Sequence, residues 1–356
     1  MADIGRGWRH LADRNPAAGF VDASLRGAAQ VVLQNNPLSG LLILIALAWG
    51  AFENGTPRVF GGGVLALVVG TATALALRVD MSSWRKGLFG FSPLLTGLAV
   101  PTFLDQRPLM WLYLVLGAIG TVVVTLALNA VFKRWNLTAY TFPFVLTTWF
   151  LLMAAYQFDR FTVLTKLTPK FPGEGSSAGG TFDWGLVPTF FKGVSQVYLI
   201  ESWVTGLLIL VALLINSRWS ALFAVIGAVG ATLLALWFGA DGASLDKGLF
   251  AFNAVLTAIV VGAVAHRPGA LVTVYTLFGI ALTLVVQMAL TTVLTPLGIP
   301  VLTGPFNIAT WLLLLPDRHF APLPNHERVR DSVLHTVRDS VHLREKEGNR
   351  VRSERG

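Results

Sequence analysis

Cysteine is absent from all 356 residues, which excludes disulfides, thiolate metal sites and cysteine nucleophiles. Charge is scarce as well. Asp, Glu, Lys and Arg make up 13% of the chain, against the roughly 25% that a soluble domain carries. The N-terminal stretch lacks the apolar core of a signal peptide, because GWRHLADRNPAAGF is polar and broken at Pro16. The N-terminus is therefore expected in the cytoplasm. What fills the chain instead is apolar: 54% hydrophobic residues, a mean hydropathy of +0.64, and 35 glycines, mostly inside apolar stretches. Membrane helices tolerate glycine and use small residues for close approach. The net charge of +8 does not form a nucleic-acid surface. Arg6, Arg9, Arg14 and Arg26 precede the first apolar block, and Arg85, Lys86, Lys133 and Arg134 sit at the edges of others. Cations at block edges fit cytoplasmic loops and lipid headgroups.

The apolar part repeats itself. SGLLILIAL (Ser39 to Leu47) returns as TGLLILVAL (Thr205 to Leu213), 166 positions later. The G-x-x-Q before it, Gly27 to Gln30, returns as Gly193 to Gln196. LFGFSPLLTG (Leu88 to Gly97) is answered by LFAFNAVLTA (Leu249 to Ala258), and TFPFVLTTW (Thr141 to Trp149) by TGPFNIATW (Thr303 to Trp311). Four matches in one order mean two copies of one unit of roughly 130 residues. Duplicated membrane halves commonly enclose a path between them.

Spanning segments are expected at Pro37 to Phe52, Gly61 to Val79, Leu109 to Val131 and Thr141 to Tyr156. Their counterparts are Val204 to Ile215, Trp219 to Phe238, Ala270 to Val293 and Thr303 to Leu315. Gly87 to Phe103 and Gly248 to Val261 read as re-entrant or broken helices, as do the segments carrying Gln30 and Gln196; such irregular backbone survives in lipid only beside a cavity or inside protein. The expected organisation is an N-terminal cytoplasmic segment (1–20), a first membrane repeat (21–156), a linker (157–184), a second repeat (185–316) and a charged cytoplasmic tail (317–356). In the tail, Val329, Val333, Val337 and Val341 form an apolar stripe at helical spacing. His319, His326, His335 and His342 are spaced irregularly and predict no metal site.

No position in the repeated motifs is ionisable in both copies. Ion-coupled carriers keep charge within the membrane, so the pattern points to a neutral solute on a passive route. Glu201, whose positional partner is Asn35, reads as interfacial or structural. The motifs offer amides at Gln30 and Gln196, hydroxyls at Thr141 and Thr303, and main-chain carbonyls at helix breaks. Phe91 and Leu95, like Phe252 and Leu256, are four residues apart and share a helix face. Rings there would make a flat slot for a planar molecule. No nucleophile–base pair accompanies these segments, so an enzyme is not expected, and no cofactor or metal is implied.

QVVLQNNPLSG (Gln30 to Gly40), GFSPL, AFNAVL and the T-x-P-F…T-W segments together resemble the urea transporters, over about residues 20–315. The resemblance implies an all-α polytopic membrane protein: two inverted repeats of five transmembrane helices with re-entrant half-helices around a pore. It implies a homotrimer with one pore per protomer, in contact with membrane lipid, moving urea down its gradient as a channel of the bacterial inner membrane. It further implies Gln30 and Gln196 as filter amides, Phe91 with Leu95 and Phe252 with Leu256 as the two slots, and Thr141 and Thr303 at the central constriction. Val31, Leu33, Val197 and Leu199 would complete the walls. The alternatives are a facilitator for ammonia or short amides, an ion-coupled carrier, or a membrane scaffold. Trp203 in place of a proline, Ser92 in place of an asparagine and Ala251 in place of a glycine depart from the family pattern.

Overall fold

Proline and short polar caps set where the helices begin. In the computed structural model, which describes residues 2–164, 169, 179–180 and 185–316, an N-terminal helix α1 (Ala2–Arg14) leads into α2 (Pro16–Gln30). After a break comes α3 (Pro37–Glu53), where Asn36 accepts the Leu38 N–H and Pro37 occupies a position that needs no amide donor. Then follow α4 (Pro57–Ala76), the short α5 (Met81–Arg85), α6 (Phe91–Phe103), α7 (Pro108–Phe132) and α8 (Phe142–Ala155). The second half repeats the series from α2 onward. Its members are α9 (Leu186–Ser195), α10 (Trp203–Asn216), α11 (Arg218–Trp237), α12 (Gly242–Asp246), α13 (Phe252–Ile259), α14 (Ala270–Leu294) and α15 (Gly304–Leu314). A π-helical segment, Val260–Ala265, extends α13 beyond the expected end at Val261.

Corresponding elements use corresponding bonds. Asp80 caps α5 through Ser83, and Asp241 caps α12 through Ser244. Thr96 meets Thr121 at 3.0 Å, and Thr283 donates to Thr257 at 2.9 Å, joining α6 to α7 and α13 to α14. Tyr113 donates to the Leu151 carbonyl, and Tyr275 to that of Leu313. Hydroxyl bonds of this kind hold helices together where lipid removes the hydrophobic incentive to associate.

Among the described residues, four helices are long and apolar enough to cross a bilayer: Pro57–Ala76, Pro108–Trp135, Arg218–Trp237 and Ala270–Leu297. The pair Leu186–Tyr198 and Trp203–Asn216, bent by 74°, makes a fifth if taken as one broken span. The chain is thus an all-α, multi-span membrane protein, and its outer faces carry Leu112, Leu116, Phe150, Val274 and Phe278 exposed. The other expected spans are shorter: α3, at 17 residues, lies just below spanning length, and α8 and α15 lie further below it. The 14 residues of α8 and 11 of α15 reach only about 21 and 16 Å, short of a ~30 Å hydrocarbon core. Each carries a proline in its first turn, Pro143 or Pro305, and its N-cap threonine follows a left-handed residue, Tyr140 or Leu302, which stops the helix from extending backward. The charged tail, with its valine stripe and histidines, lies outside the described residues, as does most of the linker.

The two halves join along α3 and α10. Ser39 donates to the Ala212 carbonyl at 2.7 Å and Thr205 to that of Ala46 at 2.8 Å. The start of each helix therefore meets the later part of the other, and the two run antiparallel. Close approach within each half depends on two matched glycines. A Cβ on Gly40 would lie 1.8 Å from the Leu25 carbonyl oxygen, and one on Gly206 would lie 1.9 Å from that of Phe191.

Candidate functional site

Where α8 and α15 begin, the two copies touch. Thr141 Oγ1 and Thr303 Oγ1 are 2.7 Å apart, and both side chains are buried. Each threonine follows a residue forced into the left-handed region, Tyr140 at φ 45° and Leu302 at φ 50°. That conformation costs a residue with a Cβ about 1–2 kcal/mol, and such strain concentrates at functional positions. A tryptophan from each half braces the opposite loop: Trp149 Nε1 donates to the Pro300 carbonyl at 2.8 Å, and Trp311 Nε1 to that of Thr138 at 2.9 Å. Both indoles lie in the repeated T-W motif, yet a tryptophan in an apolar run gives no sign from sequence that it reaches across to the other copy. Asn307 is likewise legible only in the structure; its Nδ2 donates to Thr141 Oγ1 at 3.1 Å and to the Thr303 carbonyl at 2.6 Å.

The glutamines are fixed in equivalent ways at the two helix breaks. Gln30 Nε2 donates to the Lys86 carbonyl at 2.8 Å, and Gln196 Nε2 to the Lys247 carbonyl at 3.0 Å. A main-chain carbonyl can only accept, so the NH2 end faces it and Oε1 points away from it. Past each glutamine a leucine in the left-handed region turns the chain, Leu33 at φ 59° and Leu199 at φ 60°. A cation then ties the break shut. Arg26 donates to the carbonyl and Oδ1 of Asn35, at 3.0 and 2.8 Å, while also pairing with Asp22 at 2.6 Å. At the matching positions Lys192 pairs with Glu201 at 3.2 Å, which gives Glu201 its structural place. The replacement of a proline by Trp203 is met by Ser202, whose Oγ caps α10 through the Thr205 N–H at 3.2 Å.

The walls are less uniform. Gln196, Leu199 and Phe252 line one cavity of about 520 Å³ together with Phe103, Gln287 and Leu302. Asp241, the cap of α12, is the single charged residue along that lining. Gln30, Leu33 and Phe91 do not border this cavity. Val31 and Val197 are each 1% exposed, and Leu95 and Leu256 are 0% exposed, packed in the main core. Phe91 and Phe252 are partly buried and nearly buried respectively, and no ring contact joins them. The departure at Ser92 leaves its hydroxyl without a partner, whereas Asn253 bonds Gln287, the Leu302 carbonyl and the Phe306 N–H. Among the described residues no cluster of three or more His, Cys, Asp or Glu could hold a metal.

Apolar spans, two serially related halves and an uncharged polar contact between them define a duplicated helical membrane protein. Residues 21–318 match the family model described as Urea transporter. The chain is 31% identical over 312 residues to urea transporter 1 of Ovis aries, covering 86% of this chain and 79% of that protein. It is 30% identical over 312 residues to urea transporter 1 of Capra hircus, with the same coverage. Against urea transporter 1 of Rattus norvegicus the identity is 29% over 316 residues, again 86% and 79%. These relatives are mammalian. The chain belongs to the urea transporter family, a family of transporters and not of enzymes.

Proposed function

We propose that this chain conducts urea passively along the junction of its two copies, with Thr141 and Thr303 at the narrowest polar point. The observation that carries the reading is the 2.7 Å contact between equivalent threonines of the two copies, with no charged side chain bonded to either. Urea would enter through a mouth such as the Gln196–Phe252 cavity and shed water as it moves inward. Removing an amide from water without new bonds costs about 2–7 kcal/mol, so acceptors must replace the lost solvent. The Oε1 atoms of Gln30 and Gln196 and the carbonyls at the left-handed breaks would supply them. Phe91 with Leu95 and Phe252 with Leu256 would form apolar slots that admit a flat neutral molecule; Val31, Leu33, Val197 and Leu199 would close the sides. Because Leu95 and Leu256 are fully buried, passage at their level requires their side chains to move aside.

The antiparallel pairing of α3 with α10 supports an inverted relation between two five-span repeats. With this reading go the expectations of the resemblance: a homotrimer, one pore per protomer, set in lipid of a bacterial inner membrane. The test is stopped-flow urea uptake into proteoliposomes, run beside ammonia and short amides. The wild type should accelerate urea well above empty vesicles. Thr141→Val with Thr303→Val should slow it about tenfold, the weight of one net hydrogen bond, with expression unchanged. Equal urea flux in protein-containing and empty vesicles would overturn the proposal; faster ammonia or amide flux would favour the alternative facilitator.

A further inference from the structure

The pseudo-symmetry fails at one position beside the threonine contact. Asn307 stands 162 residues after Val145, the same interval that separates Thr303 from Thr141, so one copy has a carboxamide where its mate has an isopropyl group. Asn307 is completely buried. Its orientation is fixed chemically, because the Thr303 carbonyl 2.6 Å away can only accept and must face the NH2 end. The second amide hydrogen goes to Thr141 Oγ1 at 3.1 Å. Accepting from Asn307 polarises the Thr141 hydroxyl and makes it the better donor of the pair, so the favoured direction runs from Thr141 to Thr303 Oγ1, 2.7 Å away. That direction frees the Thr303 hydroxyl hydrogen. The Oδ1 end of the same rigid carboxamide is buried without any partner. A buried acceptor left in that state is costly, about 1–3 kcal/mol, and calls for a ligand or water.

We propose that Asn307 is a specificity-determining residue at the constriction: it orients the Thr141–Thr303 hydroxyl pair so that Thr303 offers an O–H to a solute carbonyl, while its Oδ1 takes an N–H. The matching ligand is a small neutral amide with one carbonyl oxygen and adjacent N–H groups. This deepens the urea reading and rests on it. A symmetric pair of threonines donates equally well in either direction; a single asparagine on one side biases the pair toward one of them. The same logic locates its equivalent, since an asparagine at 145 would stand to Thr141 and Thr303 as Asn307 stands to Thr303 and Thr141.

The experiment uses reconstituted full-length protein and four forms: wild type, Asn307→Val, Val145→Asn with Asn307→Val, and Asn307→Thr. Urea flux should fall about tenfold in N307V, as expected for one lost hydrogen bond, and recover in the V145N/N307V swap. A loss that the swap fails to restore, or N307V flux equal to wild type, overturns the inference. If N307V does not fold, N307T carries the same test, because its hydroxyl cannot reach the Thr303 carbonyl and Thr141 Oγ1 together. A wild type without urea flux defeats the functional reading instead. In that event thermal unfolding decides the inference separately: N307V and Thr141→Val must shift the midpoint non-additively, and additive shifts overturn the bond between them.

Discussion

Gln30 and Gln196 illustrate how a residue's role is set by the atom that is already committed. Both give an amide hydrogen to the main-chain carbonyl of a lysine, Lys86 or Lys247, and so both direct Oε1 away from that carbonyl. In the proposed pathway Oε1 is the atom that would accept from the N–H groups of the solute, and the amide offers a cation no counter-charge. Leucine has nearly the same volume and no polar atom. Gln196→Leu should therefore lower urea flux about tenfold in proteoliposomes, with little change in thermal midpoint. Flux at the wild-type level would show that the carboxamide has no contact with the solute. Glutamine and threonine could be picked out from the repeat, since each recurs at a matched position. Asn307 could not, because its mate is Val145 and repetition is silent about a residue present once.

At the scale of elements, the breaks matter more than the spans. Each half bends its first membrane segment after a glutamine, uses a left-handed leucine for the turn, and ties the turn with a cation. The ties share no residue identity: Arg26 with Asn35 in one half, Lys192 with Glu201 in the other. A common geometry maintained by different chemistry explains why Glu201 has no acidic counterpart. After each break the chain must pass close against α2 or α9, which Gly40 and Gly206 permit. Gly40→Ala would place a methyl 1.8 Å from the Leu25 carbonyl oxygen, which belongs to rigid backbone. Overpacking of this kind costs about 1–3 kcal/mol or more. The expected result is a clearly lower unfolding midpoint by fluorescence in detergent, along with reduced folded yield. A midpoint equal to wild type would mean that α2 and α3 are free to separate.

For the whole molecule, unpaired basic charge is concentrated toward one face. Arg14, Arg26, Arg78, Arg85 and Lys86 lie on the face of α1 and α5, where Arg85 pairs with Asp13. Lys133 and Arg134 follow α7, whose 25 residues are long enough to run from the opposite face back to this one, about 37 Å. The other face carries both signs: Asp105 pairs with Arg107 and Glu201 with Lys192, and Glu53 accepts from Ser202 there. The positive-inside rule predicts that the more basic face is cytoplasmic. Because the native chain has no cysteine, single replacements report orientation cleanly. Asp159→Cys should react with an impermeant maleimide in intact cells, and Arg134→Cys only after permeabilisation. The reverse pattern would invert the assignment.

Duplication, membrane-spanning character and the repeating residues are legible in the chain, because lipid demands apolar helices and a copied unit leaves matched motifs at a fixed interval. The edges of the apolar blocks also fall within a few residues of most helix ends. Folding alone settles which polar groups are committed to backbone carbonyls, that α8 and α15 fall short of a full span, that tryptophans brace the opposite copy, and that Asn307 joins the threonine pair. Those outcomes depend on directions and distances between segments more than 130 positions apart. Hydrogen bonds are directional and short, and periodicity along a chain carries no information about either.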